Sequence, residues 1–357
     1  MKSAFTRLVL VLAFSGVVFA QESVTDAEAK VVLYNWADYV PAEIVTAFTE
    51  ETGIKVEYIT FSSDELMYAR TKIVKGRAYD VIVAPTNLVT RMRNEGLLQA
   101  LDHQRLKNFD KLDARLLNQP FDPGNAFSIP YAWGSTGIGV DTDKVDVNKI
   151  VRWSDLWQKQ WRDQVWQIDS MREIFMIALK INGHGINSTD EDEIKQAYAK
   201  LQQLLPNIQQ ISNMPDDEFI SDNPGLAISW SSAILRANAK NPAIQYIYPV
   251  EGPIFWLSSF VIPARAANVD NAYRFIDYLS RPEVAARCAE MGNHATANQA
   301  ARALLDEKMR NNKIIYPPAE ILAKIEFPQE IGQAMKLYEL YWEKLKVAAN
   351  KNLADSK

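Results

Sequence analysis

With 357 residues, 39 basic and 44 acidic side chains, the chain has a formal net charge of −5 and length for about two domains of ordinary size. An acidic chain without basic tracts is a poor match for nucleic acid, whose phosphates need clustered Lys and Arg, and suits a cationic ligand better. The single Cys288 excludes an intrachain disulfide. His103, His184 and His294, the only histidines, have no ligand-type neighbour at metal spacing, so no zinc site is expected.

Lys2 and Arg7 precede an apolar run over 8–18 and a small-x-small step at Val18-Phe19-Ala20, the pattern of an export signal cut after Ala20. The run is too short to cross a bilayer comfortably, and no cysteine follows the cut to take a lipid. Cleavage removes Lys2 and Arg7 and no acid, which takes the net charge from −5 to −7.

Strand and helix signals then alternate. Residues 31–34 predict a buried strand, and Pro41 starts a helix carrying Ile44, Val45 and Phe48 on one face until Gly53 ends it. Residues 54–59 predict the next strand, Ser63 or Asp64 caps a helix through Lys75, and 80–84 predict a third strand. This order implies a parallel sheet with helices on both faces and a ligand beyond the carboxyl ends of the strands, beside residues 35–39. Residues 129–140, punctuated by Gly134, Gly137 and Gly139, lack an amphipathic period and predict an extended crossover.

A second set follows, with helices near 154–161, 173–180 and 190–205 and a strand at 226–230. Ser188-Thr189-Asp190-Glu191 predicts a capping box. Residues 254–262 predict a return crossover, followed by helices near 269–279, 282–291 and 329–347. No long linker interrupts the chain, which predicts two interleaved, discontinuous lobes. They comprise 21–136 plus 259–305, and 137–258 plus 306–357.

Catalytic signatures are missing. No nucleophile elbow, P-loop or dinucleotide fingerprint follows a strand. Asp169 and Glu173 form an i, i+4 carboxylate pair only if their helix already includes Asp169, and acids at helix starts are common caps. A non-enzymatic protein without cofactor is expected. The nine tryptophans and fourteen tyrosines are mostly core, but Trp36, Tyr39, Trp230 and Trp256 fall at predicted strand ends or crossovers. Ring faces attract ammonium groups and pack against methylenes, and carboxylates add charge-assisted hydrogen bonds.

At these residues the sequence resembles the periplasmic spermidine/putrescine-binding proteins of polyamine ABC importers. Tyr34-Asn35-Trp36-x-Asp38-Tyr39-Val40-Pro41, Glu51-Thr52-Gly53, Ile129-Pro130-Tyr131-x-Trp133-Gly134, Trp153-x-Asp155-Leu156-Trp157, Arg172-Glu173-x-Phe175 and Ile254-Phe255-Trp256 carry the resemblance in order. It implies a two-lobed α/β clamp (type II-like) hinged on strand crossovers. Trp36, Tyr39, Trp230 and Trp256 would be aromatic walls, and Glu173 a carboxylate that holds an ammonium.

Some positions depart from the family pattern. Ser170 (beside Asp169) and Ser258 stand where acids are expected, and Asn87 and Asn293 (beside His294) where aromatics are. Gln329 is an uncertain substitute for a glutamine contact. Asp169 and Asp38 are candidate stand-ins for the missing charge. The resemblance implies a periplasmic monomer that binds spermidine, norspermidine or a related polyamine and no nucleic acid. Its partner would be either an inner-membrane ABC permease or a membrane signalling receptor controlling cyclic di-GMP and biofilm. A binder of an unrelated solute, a sugar or an amino acid, is the alternative.

Overall fold

The computed structural model describes residues 29–37, 39–213 and 224–355; the predicted export signal and Asp38 lie outside the described residues. Three strands open the chain: β1 (Lys30–Trp36), β2 (Lys55–Phe61) and β3 (Val81–Pro85), parallel in the order β2-β1-β3. The interior of β1 is buried, as expected for a strand covered on both faces. β2 lies at the sheet edge, mostly exposed, with charged residues along it that discourage further pairing. Between them run α1 (Ala42–Thr52) and α2 (Asp64–Ile73), and α3 (Thr86–Asn94) follows β3. Gly53 ends α1 in the left-handed region at φ 70°, which glycine reaches without a Cβ penalty. Ser63 caps α2, its Oγ accepting from Leu66 N–H, so Asp64 is left in the first helical turn without a capping task.

The long β4 (Ile129–Asp141) leads to β5 (Val165–Gln167), α4 (Met171–Ile181), α5 (Glu191–Leu204), β6 (Ile208–Ile211) and β7 (Leu226–Trp230). Next come α6 (Ser231–Lys240), β8 (Ile244–Ile247), β9 (Ile254–Val261), α7 (Val269–Leu279), α8 (Pro282–Gly292) and β10 (Ala295–Thr296). The chain closes with the short helices α9 (Gln299–Leu304), α10 (Glu307–Arg310) and α11 (Ala319–Leu322) and the long α12 (Met335–Asp355).

One sheet runs through the molecule in the order β2-β1-β3-β9-β4-β7-β5-β6, with β8 and β10 also pairing β4. Each end is parallel, as the alternation of elements predicts. At the centre, β4 and β9 are antiparallel to each other and to β3 and β7, because one carries the chain outward and the other back. Two large cores flank this centre. β4 contributes Trp133 to the first core and Ile138 to the second, while β9 leaves the second at Ile254 and enters the first at Phe255. A third passage lies between Phe327 and Ile331. There Thr86 Oγ1 donates to Pro328 O at 2.7 Å, and Asn187 bonds Phe327 O and Gln329 N. The architecture is the expected two-lobed α/β clamp with strands crossing between the lobes.

Three local expectations need correction. Residues 154–161 form two 3-10 turns, Trp153–Trp157 and Lys159–Trp161. Asp155 fixes them by accepting from Val151 and Arg152 N–H and by offering its carbonyl to Trp161 Nε1. Asp190, not Ser188, caps α5 by accepting from Asp192 and Glu193 N–H, and Ser188 Oγ instead donates to the Glu193 carboxylate. The C-terminal helix begins at Met335, six residues later than its apolar pattern suggests, because 327–331 serve the third passage.

Asp80 ties three elements of the first lobe together. Its buried carboxylate accepts from Val32 N–H at 2.8 Å, from Asn268 N–H at 2.8 Å and from Asn268 Nδ2 at 3.0 Å. Asp80→Ala orphans these donors and is expected to cost about 2–3 kcal/mol, read as a lower urea midpoint at unchanged slope.

Candidate functional site

The site is built where the crossovers meet the first turns of two helices. Antiparallel partners share a face of the sheet, and side chains alternate along each strand. Ala132, Gly134 and Thr136 of β4 therefore point the same way as Ser258 and Trp256 of β9 and Trp230 of β7, which they oppose. Ser135 points to the other face, where its hydroxyl lies 2.8 Å from Tyr246 Oη. The indole of Trp256 lies over Gly134, so close that a Cβ there would collide with the ring; glycine is required by this approach and not by its backbone angle. Trp256 Nε1 is buried and has no hydrogen-bond partner among the described residues.

Glu173 occupies the first turn of α4. Trp230 Nε1 and Ser170 Oγ each donate to its Oε1 at 3.1 Å, and Thr136 Oγ1 donates to Oε2. Ser170 stands at the N-cap but makes no capping bond; its hydroxyl turns to Glu173. Burial raises the Glu173 carboxyl above the usual carboxylate range, and the three hydrogen bonds only partly offset this. Neutral donors orient the carboxylate without cancelling its charge.

Tyr39 is the first lobe's contribution. Its ring centroid is 5.4 Å from that of His294 and 6.3 Å from that of Tyr131, whose hydroxyl donates to Tyr39 O at 2.6 Å. Burial pushes the Tyr39 phenol well above its ordinary range; the hydrogen bond with Ser258 opposes this, and the charges of Asp64 and Glu173 reinforce it while Arg236 counters it. Tyr39 therefore stands within the electrostatic reach of both carboxylates. His294 is buried with Nε2 unpartnered among the described residues, and desolvation holds it down to about 4, neutral at physiological pH.

The other predicted residues are placed as follows. Ser258 is buried on β9 between Pro85 and Ala132. Asn87 is buried in the first turn of α3. Trp36 ends β1 with its ring edge-on to Phe61 at 4.8 Å. Asp169 precedes α4 and is exposed, its backbone held by Asn213 at 2.9 and 3.2 Å, and it is not among the partners of Glu173. Gln329 is exposed and bonded through its backbone. Asn293 takes the left-handed conformation that ends α8, while its neighbour His294 faces Tyr39.

Sequence reasoning missed Thr136, Tyr131 and Asp64. Thr136 lies inside a crossover without period, Tyr131 reads as core, and Asp64 reads as a cap. Among the described residues no group of three or more His, Cys, Asp or Glu could hold a metal ion, and no helix is long and apolar enough to cross a membrane.

Chemically, the arrangement offers ring faces and a desolvated carboxylate to a ligand that combines apolar stem and positive charge. Residues 43–316 match the family model of the bacterial extracellular solute-binding protein. The chain is 42% identical over 314 residues to the spermidine/putrescine-binding periplasmic protein of Escherichia coli (strain K12), and 41% identical to that of Salmonella typhimurium. Each alignment covers 88% of this chain and 90% of the relative. Among solved structures, the spermidine/putrescine ABC transporter substrate-binding protein PotD from Streptococcus pneumoniae superposes with a TM-score of 0.78 at 33% identity, covering 90% of this chain and 99% of that one. These relatives are binding proteins, not enzymes. By the match along most of its length and the shared two-lobed fold, the chain belongs to the bacterial extracellular solute-binding proteins, in the branch of the spermidine/putrescine-binding periplasmic proteins.

Proposed function

We propose that this protein is an exported polyamine receptor that closes its two lobes on spermidine or a related polyamine and delivers it to a membrane ABC permease. One observation carries the reading. Among the described residues Glu173 is a desolvated carboxylate bonded only to neutral donors, with the indole of Trp230 against it and that of Trp256 on the same face of the sheet. Burying an unpaired carboxylate costs several kcal/mol, a cost that an ammonium group offsets. Each aromatic face adds about 0.5–2 kcal/mol toward a cation. The methylenes between ammonium groups suit the indole walls, which a sugar or an amino acid would use less fully.

The likeness to the ABC transporter substrate-binding protein of Streptococcus pneumoniae favours an importer as partner. A membrane receptor that reads norspermidine would use the same closed form, and co-purification with a permease or with such a receptor separates the two. The protein acts in the periplasm in this reading, with cleavage after Ala20.

Glu173→Gln and Trp256→Ala are each expected to weaken spermidine binding more than tenfold in calorimetric titration. Because the Glu173 carboxyl is held above its usual range, affinity is fully present above that raised value and falls as the pH is lowered through it. The loss should begin at a higher pH than for an ordinary glutamate and should be absent from Glu173→Gln. Gly134→Ala forces the Trp256 ring aside and is expected to cost about 1–3 kcal/mol of stability. It should also shift the tryptophan emission and weaken binding about tenfold, as one wall loses its position. A panel of polyamines that produces neither heat nor fluorescence change would defeat the assignment.

A further inference from the structure

Resting on that reading, the next question is where the rest of the counter-charge lies. A polyamine carries more than one ammonium group, and Ser170 and Ser258 are neutral. Glu173 belongs to the second lobe, so a clamp that held charge there alone would gain no charge pairing from closing on the far end of the ligand.

Asp64 has the required placement. It sits in the first turn of α2, after β2, just as Glu173 sits in the first turn of α4, after β5. The entries of the two helices meet across the lobes. Asn213, which holds Asp169 just before α4, also reaches Ser62 O just before α2, at 3.5 Å. Asp64 Oδ1 is buried and has no hydrogen-bond partner among the described residues, although its neighbour Ser63 already satisfies the helix start. Its carboxyl is raised by burial first, then by the charges of Glu65 and Glu173, and its own charge acts on Tyr39. Asp64 therefore shares one electrostatic enclosure with Glu173 and Tyr39.

We propose that Asp64 is the first lobe's ammonium-binding carboxylate, the counterpart of Glu173, and that the two acids make closure depend on a polycation. Without ligand, closing brings two desolvated negative charges together, which opposes the closed state. With a polyamine between them, each carboxylate faces an ammonium group and the same closure becomes favourable. The ligand then discriminates between open and closed forms, which is what a population shift requires. A monoamine satisfies one acid and leaves the other exposed to repulsion, so the device selects for polycations.

The test compares Asp64→Asn with Glu65→Gln in the purified protein, using spermidine titrated by calorimetry and a thermal melt of each variant. Glu65 shares the first turn of α2 but is exposed, so a mere helix-end role would move both variants alike. Asp64→Asn is expected to weaken spermidine more than tenfold while its ligand-free melting temperature stays level or rises, and Glu65→Gln should bind within about twofold of the unaltered protein. In X-ray scattering, ligand-free Asp64→Asn should be more compact than the unaltered protein, because the repulsion is relieved. Equal spermidine affinity in Asp64→Asn and the unaltered protein overturns the role of Asp64 and leaves the polyamine reading intact. No binding by the unaltered protein overturns both. Should Asp64→Asn fail to melt cooperatively, Asp64→Ser, another good helix-start residue, takes its place with the same expectations.

Discussion

The unneutralised carboxylate of Glu173 is the constraint around which the rest of the site is arranged. A carboxylate removed from water pays a desolvation cost that neutral hydrogen bonds reduce but do not repay. Trp230, Ser170 and Thr136 give it three such bonds and no positive charge. Ser170 stands at the N-cap of α4 and turns its hydroxyl to Glu173 instead of capping the helix. The buried carboxylate thus carries a desolvation cost that a cation would offset. Stability is given up where affinity is needed, a common arrangement at binding sites.

Helix polarity makes the need for acids plain. In both lobes a parallel strand runs into a helix whose N-terminus faces the region between the lobes. Such ends carry partial positive charge and by themselves favour anions. A receptor for a cation built on this scaffold must reverse the sign, and an acid in the first turn does so at the point where the helix field is strongest. Glu173 reverses it on α4; Asp64 occupies the equivalent turn of α2. The same two-lobed framework can accept anionic or cationic ligands by exchanging a few first-turn residues, which is why the fold alone says little about the ligand.

Much of the framework was legible because strong local signals agreed with one another. β1, β3, β7 and β9 are apolar runs, α7 and α8 have clean periods and a proline start, and Gly53 marks its helix end. β5, β6 and β8 were not anticipated, since three or four residues carry no period and become strands only through their neighbours. The two crossovers were legible as an outward and a return passage, but not that they pair antiparallel with each other and with β3 and β7 in one sheet. The aromatics of the site stood out because tryptophan at a strand end is unusual. Their arrangement became apparent only through the register, which sets Trp256 opposite Gly134 and Trp230 opposite Thr136.

The residues that sequence reasoning passed over show why charge is harder to place than rings. Asp38 and Asp169 were the natural stand-ins for the missing acids because they lie next to recognisable landmarks. Asp169 is in fact exposed, two residues before a helix that starts later than an i, i+4 pairing would require. Asp64 was set aside as a helix cap, an ordinary fate for an acid beside a serine. Only the structure separates the two cases: when Ser63 takes the cap, the aspartate next to it keeps a buried oxygen with no partner among the described residues. A polar atom in that condition is rare in folded proteins and calls for a partner. Seen this way, Ser170 and Ser258 do not mean that the cleft has lost its charge. With Asp64 in the role proposed for it, the negative charge is divided between the lobes, and that division would make the ligand itself the bridge that holds them together.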